Sequence, residues 1–271
     1  MDVLASFSKQ RGITFPMLSD EGSATIKRYG ILNTVAEDAL GPNAKDPDLI
    51  AQARVYVSVN GATERTRGIP FPGTFIVDRA GRVKARFFED SYTVRNTVSN
   101  IRLKMNGAEG TVDATKVQTR QLEVMTYVSD AVVAPGNRFS IVAHVTPHSG
   151  VHVYAPGASN YKIIEMTVVP NQYLQPQAVK YPPSEIYFFK PLNERVPTYQ
   201  KPFTLTQEVV LDGSGATRNA LANQTSMAIS GALMYQACDD HLCYDPVRLP
   251  LSWTVGLKPM VAQPTVPPAS R

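Results

Sequence analysis

Cysteine is nearly absent from this chain: 271 residues contain two, Cys238 and Cys243, set close together near the C-terminal end. A chain of this length, enough for two ordinary domains, therefore has to bury cores without relying on covalent staples. Long apolar runs are missing too, and no stretch approaches the roughly 18 residues that a membrane-crossing helix needs. Charge of one sign is not concentrated. Lys and Arg exceed Asp and Glu by only four and are scattered, which argues against nucleic-acid or membrane-surface binding. The N-terminus has no basic region followed by a long apolar stretch, so it does not read as a signal peptide. Either the chain is cytosolic or its true start is missing. One close cysteine pair leaves the compartment open, since it fits an exported disulfide, a cytosolic redox pair or a metal site.

What is present changes character along the chain. Val3, Leu4 and Phe7 follow helical spacing up to a stop at Gly12, and residues 13–18 read as a short strand. Ser19-Asp20-Glu21-Gly22-Ser23 supplies turn and capping residues for a second helix over 24–29. Residues 33–48 read as an insertion or long loop, and 51–59 as a strand. The segments 74–78 and 82–88, joined by Arg79-Ala80-Gly81, read as a hairpin, and a helix follows over 93–105. This order makes residues 1–105 an α/β layered unit. Residues 106–120 read as a linker. Beyond it helical patterning stops. Short β-like runs at 122–128, 138–146, 150–154, 163–169, 203–211, 227–238 and 243–255 predict an all-β sandwich over 121–258. Residues 259–271 form a tail rich in Pro and Ala.

Cys238-Asp239-Asp240-His241-Leu242-Cys243 places four residues between the sulfurs, a common hairpin loop length, so the two can meet across an antiparallel pair. So small a ring constrains the unfolded chain by only about 2 kcal/mol, which favours chemistry over stapling as the reason for the pair. Three readings stay open: a redox couple, a structural disulfide in a binding module, and a zinc or copper site formed by Cys238, His241 and Cys243. Asp239 and Asp240 disfavour a thiolate, whereas a protonated His241 favours one. Tyr235 and Tyr244 flank the pair.

Several motifs together carry a resemblance: Tyr235-Gln236-Ala237-Cys238, Cys243-Tyr244 with Pro246 and Pro250, Gly150-Val151-His152-Val153-Tyr154, and Ser184-Glu185-Ile186-Tyr187 ahead of the 202–211 strand. Residues 121–257 resemble the N-terminal domain of the DsbD family of transmembrane thiol-disulfide reductant conductors. The resemblance implies an immunoglobulin-like sandwich, a periplasmic or otherwise extracytoplasmic setting, and a redox couple made of Cys238 and Cys243. It further implies an aromatic cap loop at Ile186-Tyr187-Phe188-Phe189, with Tyr187 and Phe188 as cap candidates. His152, Tyr154, Tyr235 and His241 become candidate supporting residues. The four-residue gap is short for that family, and no transmembrane segment follows.

In the other half, Ile13-Thr14-Phe15-Pro16-Met17-Leu18-Ser19-Asp20, Arg28-Tyr29-Gly30-Ile31-Leu32 and the run from Gly68 to Gly81, with Gly73-Thr74-Phe75-Ile76-Val77-Asp78 at its centre, resemble a peroxiredoxin of the AhpC/TSA type. That implies a thioredoxin-like fold lacking its first strand and the cysteine-bearing first helix. No cysteine precedes Cys238, so peroxidase activity is not expected here. We expect Met1 to be an internal start of a longer protein. The combined expectation is an incomplete α/β thioredoxin-like domain followed by an all-β immunoglobulin-like sandwich. The expected function is thiol-disulfide exchange in an antioxidant or redox-homeostasis setting, with protein disulfides or dithiols, such as those of another thioredoxin-like protein, as partners and with no cofactor.

Overall fold

A computed structural model of the chain describes residues 2–33, 45, 47, 50, 68, 70–89, 94–105, 113–189 and 193–259. The predicted strand at 51–59, most of the predicted insertion and nearly all of the tail lie outside these residues. The chain divides into two units between residues 92 and 93.

The first unit begins with α1 (Asp2–Arg11), continues through a single 3-10 turn at Glu21–Ser23, and reaches α2 (Ala24–Arg28). Both carboxylate oxygens of Asp20 accept from the backbone, from Thr25 N at 2.8 Å and Ile26 N at 3.0 Å, and these bonds hold its pKa below the ordinary carboxylate value. The predicted strand at 13–18 does not form. Ile13 spends its N–H on Ser8 O, Pro16 has none to give, and Phe15 and Leu18 stand exposed. The predicted hairpin is present as β1 (Gly73–Val77) against β2 (Val83–Phe88). Gly73 is required there, because the Phe88 ring occupies the space a Cβ would take.

The second unit is mostly β-sheet. It opens with β3 (Arg95–Asn96) and α3 (Val98–Lys104), the helix that the sequence assigned to the first domain. Its contacts lie with the second unit instead: Thr97 caps it through Asn100 N and donates to Asp130, and the fully buried Asn100 accepts from Ser140. The strands that follow are β4 (Thr115–Gln118), β5 (Leu122–Val128), β6 (Val132–Val133), β7 (Asn137–Pro147), β8 (His152–Tyr154), β9 (Glu165–Val168), β10 (Leu174–Lys180), β11 (Glu185–Phe189), β12 (Glu194–Tyr199) and β13 (Phe203–Leu211). After α4 (Gly215–Leu221) come β14 (Ser226–Tyr235), β15 (Ala237–Cys238) and β16 (Val247–Leu257).

Three sheets result among the described residues of this unit. One runs β10-β13-β7-β5-β4 with β3 beside the start of β7, a second β6-β16-β14-β9, and a third β11-β12-β8-β15. Period-2 alternation in the first two sends Leu122, Val124, Phe139, Ile141, Leu205, Leu233 and Trp253 into one core. The indole N–H of Trp253 bonds Thr126 Oγ1 across it at 2.9 Å. Val153, Ala155, Tyr199 and Ala237 of the third sheet and its flanks join the same core, which leaves that sheet's opposite face for other use.

On the outer face of the six-stranded sheet, the largely buried Glu208 takes Lys104 at 2.5 Å, Lys180 at 3.2 Å and Arg138 at 3.5 Å. Burial pushes its pKa up, but the two lysines outweigh burial and hold it below the ordinary value. A depressed folded-state pKa means stabilisation that is complete above the unfolded value of about 4.3 and lost as pH falls through the folded one. Glu208→Gln is therefore expected to cost about 1 kcal/mol near neutral pH, a modest figure for a partly solvated network. It should also flatten the acid limb of a stability-versus-pH curve measured by urea unfolding.

Candidate functional site

Register alone gathers the site. Cys238 of β15 lies opposite His152 of β8, Tyr154 opposite Thr198 of β12, and Val196 opposite Tyr187 of β11. Side chains two apart or directly paired share a face, so Cys238, His152, Tyr154, Val196, Tyr187 and Phe189 fall on the face of the third sheet turned away from the core. They line a crevice of about 10 Å³, room for at most one water molecule.

Cys238 and Cys243 are joined by a disulfide. They form an antiparallel bridge closed by Asp239 N to Leu242 O and Tyr244 N to Ala237 O, each 2.9 Å. Asp239 fixes the loop: its Oδ1 accepts from His241 N and Leu242 N at 2.7 Å and its Oδ2 from Tyr244 Oη at 2.7 Å. The Tyr244 hydroxyl first, then the two amides, hold the Asp239 carboxyl down at about 2. The two cysteines differ sharply in exposure, for Cys238 is 1% exposed whereas Cys243 is an exposed residue.

The hydroxyl of Tyr154 lies 2.9 Å from Cys238 Sγ and 3.5 Å from Cys243 Sγ, and as disulfide sulfurs carry no hydrogen, the tyrosine is the donor. Burial pushes the Tyr154 pKa well up, reinforced by Tyr161 and Glu194, so the phenol keeps its proton. Tyr161 stacks on Tyr154 at 4.0 Å and donates to Glu194 at 2.6 Å. His152 is 4% exposed, with the Tyr187 ring at 4.4 Å and Tyr154 edge-on at 5.5 Å. Its burial lowers its pKa against the pull of Asp240 and Asp239. Tyr187 donates to Asp240 at 2.8 Å, which ties β11 to the cysteine loop.

The sequence-derived candidates separate here. Tyr154 bonds the sulfurs, and His152 and Tyr187 line the same crevice. Phe188 does not, since the predicted cap loop is the strand β11, whose alternation turns Phe188 to the opposite face under Arg195. Tyr235 points the other way, into the core, and donates to Thr119. His241 is exposed, and its backbone amide donates to Asp239 within the loop. Both sulfurs of the proposed metal trio are spent on each other, and no group of three or more metal-ligating side chains occurs among the described residues. Tyr161 and Glu194 escaped sequence reasoning because nothing in their spacing announces a contact with Tyr154.

Residues 1–86 match the family model of the AhpC/TSA family. This is the family that the motifs of the N-terminal half resemble, and thiol redox chemistry in general is the theme the match supports. No curated protein matches the chain. Among solved structures, the N-terminal periplasmic domain of ScsB from Proteus mirabilis is similar over 54% of this chain and 51% of that one, at 11% identity and a TM-score of 0.38. The chain thus spans about half of that domain's length. The reduced N-terminal domain of DsbD from Neisseria meningitidis is similar over 43% of this chain and 81% of that one, at 16% identity and a TM-score of 0.29. The GAE domain of GGA2p from Saccharomyces cerevisiae is similar over 51% of this chain and 94% of that one, at 8% identity and a TM-score of 0.28. All three scores lie below 0.5, and the chemistry proposed for the chain rests on the geometry of its own site. Among the described residues, no helix is long and apolar enough to cross a membrane.

Proposed function

We propose that this chain is a thiol-disulfide oxidoreductase that passes reducing equivalents through Cys238 and Cys243. The observation that carries the reading is the asymmetry of the pair: Cys243 is an exposed residue, whereas Cys238 is buried and its sulfur takes the shorter contact with the Tyr154 hydroxyl. A partner thiolate attacks Cys243 Sγ, the bond between the two cysteines breaks, and Cys238 leaves as a thiolate stabilised by Tyr154. The partner's second thiolate then attacks the mixed disulfide and releases Cys243. In the opposite direction, Cys243 attacks a partner disulfide and Cys238 resolves it. The crevice is too small for an organic substrate, so the partner's sulfur comes to the surface of the protein, which favours a protein dithiol or disulfide such as that of a thioredoxin-like protein.

On this reading the second unit is an immunoglobulin-like carrier of the redox pair working in an extracytoplasmic setting, and the first is a thioredoxin-like unit that contributes no cysteine. The test is the rate at which reduced thioredoxin, used as a model dithiol protein, opens the disulfide. Wild type is expected to react much faster than a simple surface disulfide, and Tyr154→Phe to react about tenfold more slowly, as fits the loss of one hydrogen bond to a developing charge. Equal rates for the two proteins would contradict the role given to Tyr154.

A further inference from the structure

His152 is the least explained group in the site. The residue is 4% exposed, and its ring packs against those of Tyr187 and Tyr154, with no hydrogen bond from its side chain among the described residues. It occupies the position of β8 directly across the ladder from Cys238, on the same face and in the same crevice. Nothing about packing demands an imidazole there, where a phenyl ring would serve as well between Tyr154 and Tyr187.

We propose that His152 takes up the proton that enters the site on reduction and holds it as an imidazolium beside the Cys238 thiolate. This deepens, and rests on, the redox reading above. The balance is as follows. A partner dithiol enters as one thiolate and one thiol; its thiolate attacks Cys243, its second sulfur gives up a proton and closes the partner's own disulfide. Two electrons pass to the Cys238 and Cys243 sulfurs, and the released proton goes to the ring of His152 instead of Cys238 Sγ. Cys243 is released as a thiolate and, being on an exposed residue, takes its proton from solvent.

The surroundings fit both states. In the oxidised protein the sulfurs are neutral, and burial holds the His152 pKa below the ordinary imidazole value against the pull of Asp240 and Asp239. Tyr187 and Tyr244 occupy those two carboxylates with hydrogen bonds, and Tyr154 gives its own to the sulfurs, with Tyr161 and Glu194 behind it. Reduction places a full negative charge on the residue paired with His152 across the ladder, in the same crevice, and a neighbouring opposite charge favours the protonated ring. Linkage makes the effect mutual: the imidazolium in turn keeps Cys238 deprotonated.

The test follows the His152 ring signals by NMR titration of the full chain, oxidised and then reduced with dithiothreitol, the assignment resting on the ring's contacts with Tyr154 and Tyr187. The expected result is a titration point at least about one pH unit higher in the reduced protein. In parallel, thiolate absorbance at 240 nm is measured at pH 7 in Cys243→Ser and in Cys243→Ser/His152→Phe, where the double variant should lose most of the Cys238 thiolate signal. A His152 titration that is the same in both redox states overturns the proposal, and the NMR arm needs no variant to fold. A pair that dithiothreitol does not reduce without unfolding would instead overturn the redox reading beneath it.

Discussion

Cys238→Ser is expected to turn the protein into a trap, whereas Cys243→Ser leaves it nearly inert. With Cys238 gone, the exposed Cys243 retains its access to a partner sulfur but has no neighbour to resolve the mixed disulfide, so adducts with a thioredoxin variant that lacks its own second, resolving cysteine accumulate and survive non-reducing electrophoresis. With Cys243 gone, the remaining sulfur is 1% exposed beneath Tyr154 and Tyr187. Access governs thiol reactivity as much as thiolate content does, so the two variants should differ in their rates with Ellman's reagent by a factor on the order of a hundred. Equal rates would mean that the crevice opens freely, and the assignment of Cys243 as the attacking sulfur would fail.

The largest expected effect on stability lies away from the sulfurs. Trp253→Ala removes a side chain that packs between the two main sheets, donates to Thr126 and presses on Gly231 so closely that a Cβ there would meet the indole at 2.7 Å and Thr167 O at 2.4 Å. Thr126 in turn donates to Val142 O, so the indole's partner is itself fixed to the facing sheet. A hole of indole size cannot close around strands held in register on both sides, and the expected loss is about 3–5 kcal/mol in urea unfolding. A loss under about 1 kcal/mol would show that the sheets slide together to refill the space, contrary to the packing described.

How much could be read from the sequence depends on where each strand sits. Leu122–Val128 and Phe203–Leu211 are central, and their alternation of core and outer residues marks them to the residue. The strands β10, β11 and β12 were invisible for a physical reason: Pro176 and Pro197 remove ladder donors, and Gln175, Gln177, Glu194 and Arg195 interrupt any apolar pattern. The chain tolerates Pro176 because it lies on an edge strand at a break in register. The reverse error at 13–18 arose from apolar residues with strand-like spacing that gain no ladder among the described residues. At the site, the hairpin and the pairing of its cysteines were legible from a four-residue gap. His152 and Tyr154 were legible only through a resemblance, since their nearness to Cys238 is created by a ladder spanning more than eighty residues. Phe188 was misplaced because a loop has no faces and a strand has two. Tyr161 and Glu194 reach Tyr154 from a loop and from β12, and no local pattern links them.

The reduction potential of the Cys238–Cys243 pair, found by equilibrating the full chain against glutathione and dithiothreitol buffers and counting free thiols, tests the central claim most directly. A redox couple should lie in the range of exchange proteins, about −120 to −270 mV. A value below about −300 mV would identify the bond as a structural staple and contradict the function proposed for this chain.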